Sequence, residues 1–300
     1  MSRPDSTSAI FYAFAANLGI ALAKTVAALW TGSGSMLAEA IHSYADCGNQ
    51  ALLFIGLKRS EKTATPKHPM GFGRESYIWS MMVTLILFSV GGVFSVYEGW
   101  LRFINPHEVE NGMAALLVLI AAVAMETFSL KGALAAMEAE KGDRSLWQWF
   151  KETHSSELMV VTGEDLAALL GLIIALIMLS LTLITGNSAF DALGSLLIGV
   201  LLIAVASIVG YEIHSLLLGE ADQTLQTAIT GELEAHPHII KVFNVWAINH
   251  GKNIVLSIKA QLQGTIPVTQ AVDIINTLER EIKEKHPRVR WVFFELDNTD

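Results

Sequence analysis

The chain has 300 residues, of which 52% are hydrophobic and only 16% charged, a balance too apolar for an ordinary soluble enzyme. Its net charge of −9 argues against the basic face that nucleic acids require, so no nucleic-acid partner is expected. The single cysteine, Cys47, excludes an internal disulfide and a cysteine-rich zinc fold, and reads as a packing residue in an apolar run.

Residues 1–8 are short and polar, without the n-region or cleavage site of a signal peptide, so the first apolar run reads as a retained helix. Six runs are long enough to span a bilayer: Ala9–Trp30, Ser35–Leu57, Tyr77–Ile104, Gly112–Met137, Leu158–Ile184 and Phe190–Leu218. The breaks between them alternate. Thr31–Gly34, Asn105–Asn111 and Thr185–Ala189 carry no lysine or arginine, whereas Lys58–Arg74 and Lys141–Lys151 are basic. The positive-inside rule then places both basic loops and both termini in the cytoplasm. The short bare turns predict antiparallel hairpins of run one with two, three with four, and five with six. Ser145–Phe150, with Trp147 and Trp149, predicts an interfacial helix anchored by its tryptophans.

After Leu218 the composition becomes that of a soluble module. Ala221–Ala235 is helix-like, Ile240–Ile248 and Asn253–Leu262 are strands joined at His250-Gly251-Lys252, Val268–Lys285 is an amphipathic helix, and Val289–Leu296 is a third strand. The expected fold is an α-helical membrane protein: an N-terminal segment 1–8, a six-helix domain 9–218, and a cytoplasmic α+β domain 219–300 of α-β-β-α-β order. A module of this size is marginal alone, which makes pairing with a second copy plausible.

Polar residues inside the runs carry the functional argument, because ionisable groups in hydrocarbon are expensive. Glu39, His42, Asp46 and Asn49 fall at i, i+3, i+7 and i+10, on one face of the second run. A histidine and an aspartate four apart are half of a metal site. The fifth run opens with Gly163-Glu164-Asp165, and Asp165 lies about as deep from its end as Asp46 from its own. His42, Asp46 and Asp165, completed by Glu164 or water, would suit zinc, manganese, cobalt or ferrous iron. The competing reading is a histidine–carboxylate bond that only glues two helices together. Glu126 is either a relay residue or the partner of Lys131. Glu98 and Arg102 read as a local pair, and Asp191 as an acidic helix start rather than a ligand. In the module, His236-Pro237-His238 and the pair Glu295 and Asp297 are weaker candidates for a cation.

With these motifs the chain resembles the cation diffusion facilitator family of divalent-metal/proton antiporters. The likeness rests on His42-Ser43-Tyr44-Ala45-Asp46, His68-Pro69-Met70-Gly71-Phe72-Gly73 and the α-β-β-α-β tail. Glu164-Asp165 and Asp191-Ala192-Leu193-Gly194-Ser195-Leu196 are similar to the branch related to the mitochondrial zinc transporter of animals. The resemblance implies a tetrahedral transport site between the second and fifth helices, a homodimer, and alternating access coupled to protons. The family's usual second His-x-x-x-Asp is absent, since Val161 stands four before Asp165, which leaves the fourth ligand unassigned and gives Glu164 a compensating part.

The expected function is therefore export of Zn2+, or of Mn2+, Fe2+ or Co2+, from the cytoplasm in exchange for protons. The transported ion is cargo; no enzyme activity and no resident cofactor are expected. His42 suits the coupling, because its ordinary pKa lies near physiological pH and metal binding requires the neutral ring. The expected place is a bacterial inner membrane, crossed several times. The rivals are an intramembrane metalloenzyme and a metal-sensing scaffold that binds without flux.

Overall fold

The computed structural model describes residues 34–105 and 112–299, together with scattered positions between 14 and 29. Those scattered positions are helical, and the rest of the first run lies outside the described residues. The described chain divides into two compact units, residues 1–59 with 75–214, and residues 60–74 with 215–300.

In the first unit, α1 (Gly34–Ser60) has spanning length, with Lys58 and Arg59 in its last turn. The basic pair suits the negative end of the helix dipole. The third run is one continuous helical rod in three parts: α2 (Glu75–Ile86), a π-helical stretch Leu87–Val93, and α3 (Phe94–Ile104). Then follow α4 (Gly112–Lys141), the short α5 (Leu146–Glu152), α6 (Ser156–Thr185) and α7 (Ala189–Leu218). Among the described residues four helices are long and apolar enough to cross a membrane: Glu75–Ile104, Ala115–Lys141, Ser156–Thr185 and Ala189–Leu218. α1 is long enough at 27 residues but more polar, because it carries Glu39, His42, Asp46, Asn49 and Gln50. Gly186, at φ 67°, ends α6 in the left-handed conformation that only glycine adopts cheaply.

Among the described residues α6 and α7 meet as the expected hairpin, a Cβ on Gly163 falling 3.0 Å from Val209 and one on Gly194 falling 3.0 Å from Met178; the expected hairpin of the first run with the second lies outside the described residues, and other pairings are added. α4 makes its most extensive helix contact with α6, and the third rod crosses α7 at glycines. A Cβ on Gly99 would stand 2.7 Å from the Leu196 backbone nitrogen, and one on Gly199 would stand 2.6 Å from that of Val96. Without a hydrophobic drive between helices in lipid, small residues that let backbones approach add partners beyond those that turn length sets.

α5 also differs from its expectation. Ser145 and Gln148 close a capping box at its start. Trp149 is buried among Ala136, Met137 and Leu158, and its indole nitrogen donates to Glu140 Oε1 at 3.3 Å. Trp147 alone stays exposed, stacked on Phe150 with Lys151 over its ring. One tryptophan is therefore a core residue and the other a surface one.

The second unit contains α8 (Gln223–Glu234), β1 (Ile239–His250), β2 (Asn253–Leu262), α9 (Val268–Lys285) and β3 (Val289–Leu296). The sheet has order β1-β2-β3, antiparallel between the first two and parallel between the last two. The parallel pair follows from α9, which supplies the crossover that parallel strands need. Strict alternation in β2 buries Ile254, Leu256, Ile258, Ala260 and Leu262 on one face. Ile229 and Leu233 of α8 and Ala271, Leu278 and Ile282 of α9 cover that face. Asp222 caps α8 by accepting from the Leu225 amide at 3.0 Å.

Candidate functional site

α6 brings two adjacent carboxylates into the interior of the helical unit. Successive helix residues project about 100° apart, so Glu164 and Asp165 meet different neighbours. Asn49 of α1 donates from Nδ2 to Glu164 Oε1 at 2.8 Å, and Ser129 of α4 donates from Oγ to Asp165 Oδ2 at 3.1 Å. Glu164 is 7% exposed and Asp165 3%. Buried carboxylates of this kind persist only where donors or a cation compensate them.

Compensation is incomplete. Glu164 Oε2 and Gln50 Oε1 are buried and have no hydrogen-bond partner among the described residues. Asp46, Asp165 and Glu126 all lie within electrostatic reach of Glu164, and Asp46 also acts on Asp165. α1, α4 and α6 thus bring carboxylates and an amide oxygen into one region, the donor chemistry that divalent cations take. No three described His, Cys, Asp or Glu side chains converge closely enough to define a complete metal cage.

Of the residues expected at the site, the structure brings Glu164 and Asp165 together with Asp46 as neighbouring charges. His42 lies on α1 one turn before Asp46, while its side chain, like that of Glu39, falls outside the described residues. Asn49, on the polar face of α1, is a direct donor to Glu164. Gln50 and Ser129 were not anticipated. Ser129 stands three residues after Glu126, a spacing that puts both on one face of α4 and could have signalled it.

The outlying candidates have other roles. Arg102 bonds Glu98 at 2.6 Å and Asp191 at 3.3 Å, so both carboxylates serve an ion-pair group at the ends of α3 and α7. Lys259 holds Asp297 at 3.0 Å and keeps its carboxyl below the usual range, while Glu295 is exposed. The His238 amide donates to His236 Nδ1 at 3.4 Å, a turn contact and not a metal pair.

Residues 10–218 match the cation efflux transmembrane domain. The proton-coupled zinc antiporter SLC30A9, mitochondrial, of Xenopus laevis is 30% identical over 91% of this chain and 56% of its own length. Its Mus musculus counterpart is 35% identical over 76% of this chain and 41% of its own length. The magnetosome protein MamB of Magnetospira sp. (strain QH-2) is 22% identical over 94% of this chain and 92% of its own length. The chain spans about half the length of the zinc antiporters it matches, 41% to 56%.

Proposed function

The chain belongs to the cation efflux family, a family of membrane transporters and not enzymes, and on that premise we propose that it exports Zn2+ or a related divalent transition metal in exchange for protons. The observation that carries this reading is the Glu164 carboxylate, buried with one oxygen bonded to Asn49 and the other without a partner among the described residues, beside further carboxylates. A purely structural helix contact would satisfy both oxygens, because an unmade buried hydrogen bond costs about 1–3 kcal/mol.

In this reading His42, Asp46, Asp165 and Glu164 hold the ion. Asn49 and Ser129 aim two of those carboxylates, as the residues behind metal ligands commonly do. The ion leaves water for carboxylate oxygens and a neutral imidazole, and the vacated groups take protons instead. A proton on His42 opposes rebinding, which gives the exchange its direction. Mn2+, Fe2+ or Co2+ is the second reading, favoured by the predominance of oxygen donors around Glu164. The proposal includes both termini in the cytoplasm, which the basic loops support, and a cell inner membrane as the setting. Pairing into a homodimer is part of the proposal. It is supported by the small size of the C-terminal unit and by Trp246 and Phe293, exposed in one cross-strand row through Ser257.

The test is flux into proteoliposomes under an imposed pH gradient, with competing metals. Asp46→Ala should abolish gradient-driven zinc movement, and unchanged flux would overturn the assignment.

A further inference from the structure

Residues 60–74 separate from the helical unit and fold with the C-terminal unit, although in the chain they join α1 directly to α2. The contact is made by backbone. Gly73 lies so close to the tip of the β1–β2 hairpin that a Cβ on it would stand 2.5 Å from the His250 carbonyl oxygen. Gly251, at φ 64°, faces it from the hairpin, where a Cβ would stand 2.5 Å from the Gly73 carbonyl oxygen. Neither position has space for a side chain. The segment has its own internal turn, with Thr65 and His68 exchanging backbone hydrogen bonds of 3.1 and 3.0 Å.

His250 sits at the centre of this joint. Its ring donates to the Met70 carbonyl of the segment and meets Trp291 of β3 edge-on at 5.6 Å. Its other nitrogen, Nε2, is buried without a hydrogen-bond partner among the described residues, and so is Nε of Arg74 from the segment. The charged groups described near this joint are two arginines and one ion pair. Arg74 acts on it directly; Arg290 of β3 lies over the Trp291 ring at 5.5 Å; and Lys252 of the hairpin pairs with Glu61 of the segment at 3.6 Å.

We propose that this joint is a proton-operated latch: a neutral His250 holds residues 60–74 on the C-terminal unit, and a second proton on the ring releases them. A proton on Nε2 would create a buried N–H without an acceptor and a cation facing Arg74. Burial and Arg74 both hold the ring below the ordinary imidazole value of 6.5. A group whose docked pKa is depressed binds its proton more readily undocked, so docking is fully supported above 6.5 and weakens as pH falls below it. The exposed Lys252–Glu61 pair is screened by solvent and too weak to hold the segment alone. The segment is the covalent continuation of α1, and the latch itself lies wholly within the C-terminal unit. This inference depends on neither the identity of the ion nor its transport.

The test is amide hydrogen exchange of the full chain in lipid nanodiscs, above and below pH 6.5 and corrected for intrinsic rates, without added metal. Exchange in residues 60–74 should rise below pH 6.5 by on the order of fivefold, the factor one net hydrogen bond carries. His250→Gln, which retains a ring-sized donor but cannot titrate here, should remove that pH dependence. Gly73→Ala should raise exchange at both pH values, because its Cβ has no room. A segment equally protected at both pH values, a pH response that survives in His250→Gln, or wild-type protection in Gly73→Ala would each overturn the latch. Since no flux is measured, failure of the transport reading leaves these outcomes unaffected.

Discussion

Glu164→Gln separates a cation site from a helix glue by the sign of two effects. The substitution keeps the shape and the bond from Asn49, whose Nδ2 can donate to the glutamine oxygen as it does to Glu164 Oε1. What it removes is one negative charge from a group that also feels Asp46, Asp165 and Glu126. A unit charge about 4 Å from a cation is worth ~4 kcal/mol at an effective dielectric of 20. Counting only one of a divalent ion's two charges, that is about a thousandfold in affinity, at 1.4 kcal/mol per factor of ten. Without ion the same change relieves repulsion among buried carboxylates, so the apo protein should melt higher than the wild type. At an ion concentration of 100 Kd the wild type should gain ~2.7 kcal/mol, and the variant almost nothing. Thermal unfolding in detergent with and without Zn2+ reads both quantities. An apo form that melts lower than the wild type, or a zinc-dependent rise equal to that of the wild type, would refute the reasoning.

Ser129→Ala takes the only described donor from Asp165 and should weaken metal binding about 10–100-fold, measured by competition with a chelating dye, while leaving the helices folded. Asn49→Ala leaves Glu164 without its described donor and should lower apo stability by about 1–3 kcal/mol, seen as a fall in apparent Tm. Gly199→Val drives a side chain into the Val96 backbone and should cost at least about 1–3 kcal/mol. By contrast, Gly132→Ala meets nothing within 4 Å and should stabilise α4 by up to about 1 kcal/mol; the two together check that backbone approach, and not glycine itself, is required.

The C-terminal unit was the most legible part of the chain. Alternation in Asn253–Leu262 and the apolar stripe of Val268–Lys285 appear in the structure as a half-buried strand and a helix packed along one face. Local pattern suffices there because each element has one wet side. The helical unit was legible in its lengths but only in part in its neighbours. An apolar helix in lipid has no wet side to orient it, so the pairing of Gly99 with Leu196 and of Gly199 with Val96 follows from backbone approach that turn lengths do not encode. At the site, the stripe on α1 and the carboxylate pair on α6 were visible because charge is rare in such runs. Ser129 and Gln50 were not, because a hydroxyl or an amide costs less in a helix than an ion and leaves a fainter mark. The joint of residues 60–74 with the hairpin was invisible for another reason: two glycines far apart in sequence give no local signal of their contact.

Glu164 and Asp165 stand side by side in sequence and are bonded to different helices. With about 100° between them, they grip α6 from two directions at one level, so a twist of the helix about its own axis would disturb both bonds at once.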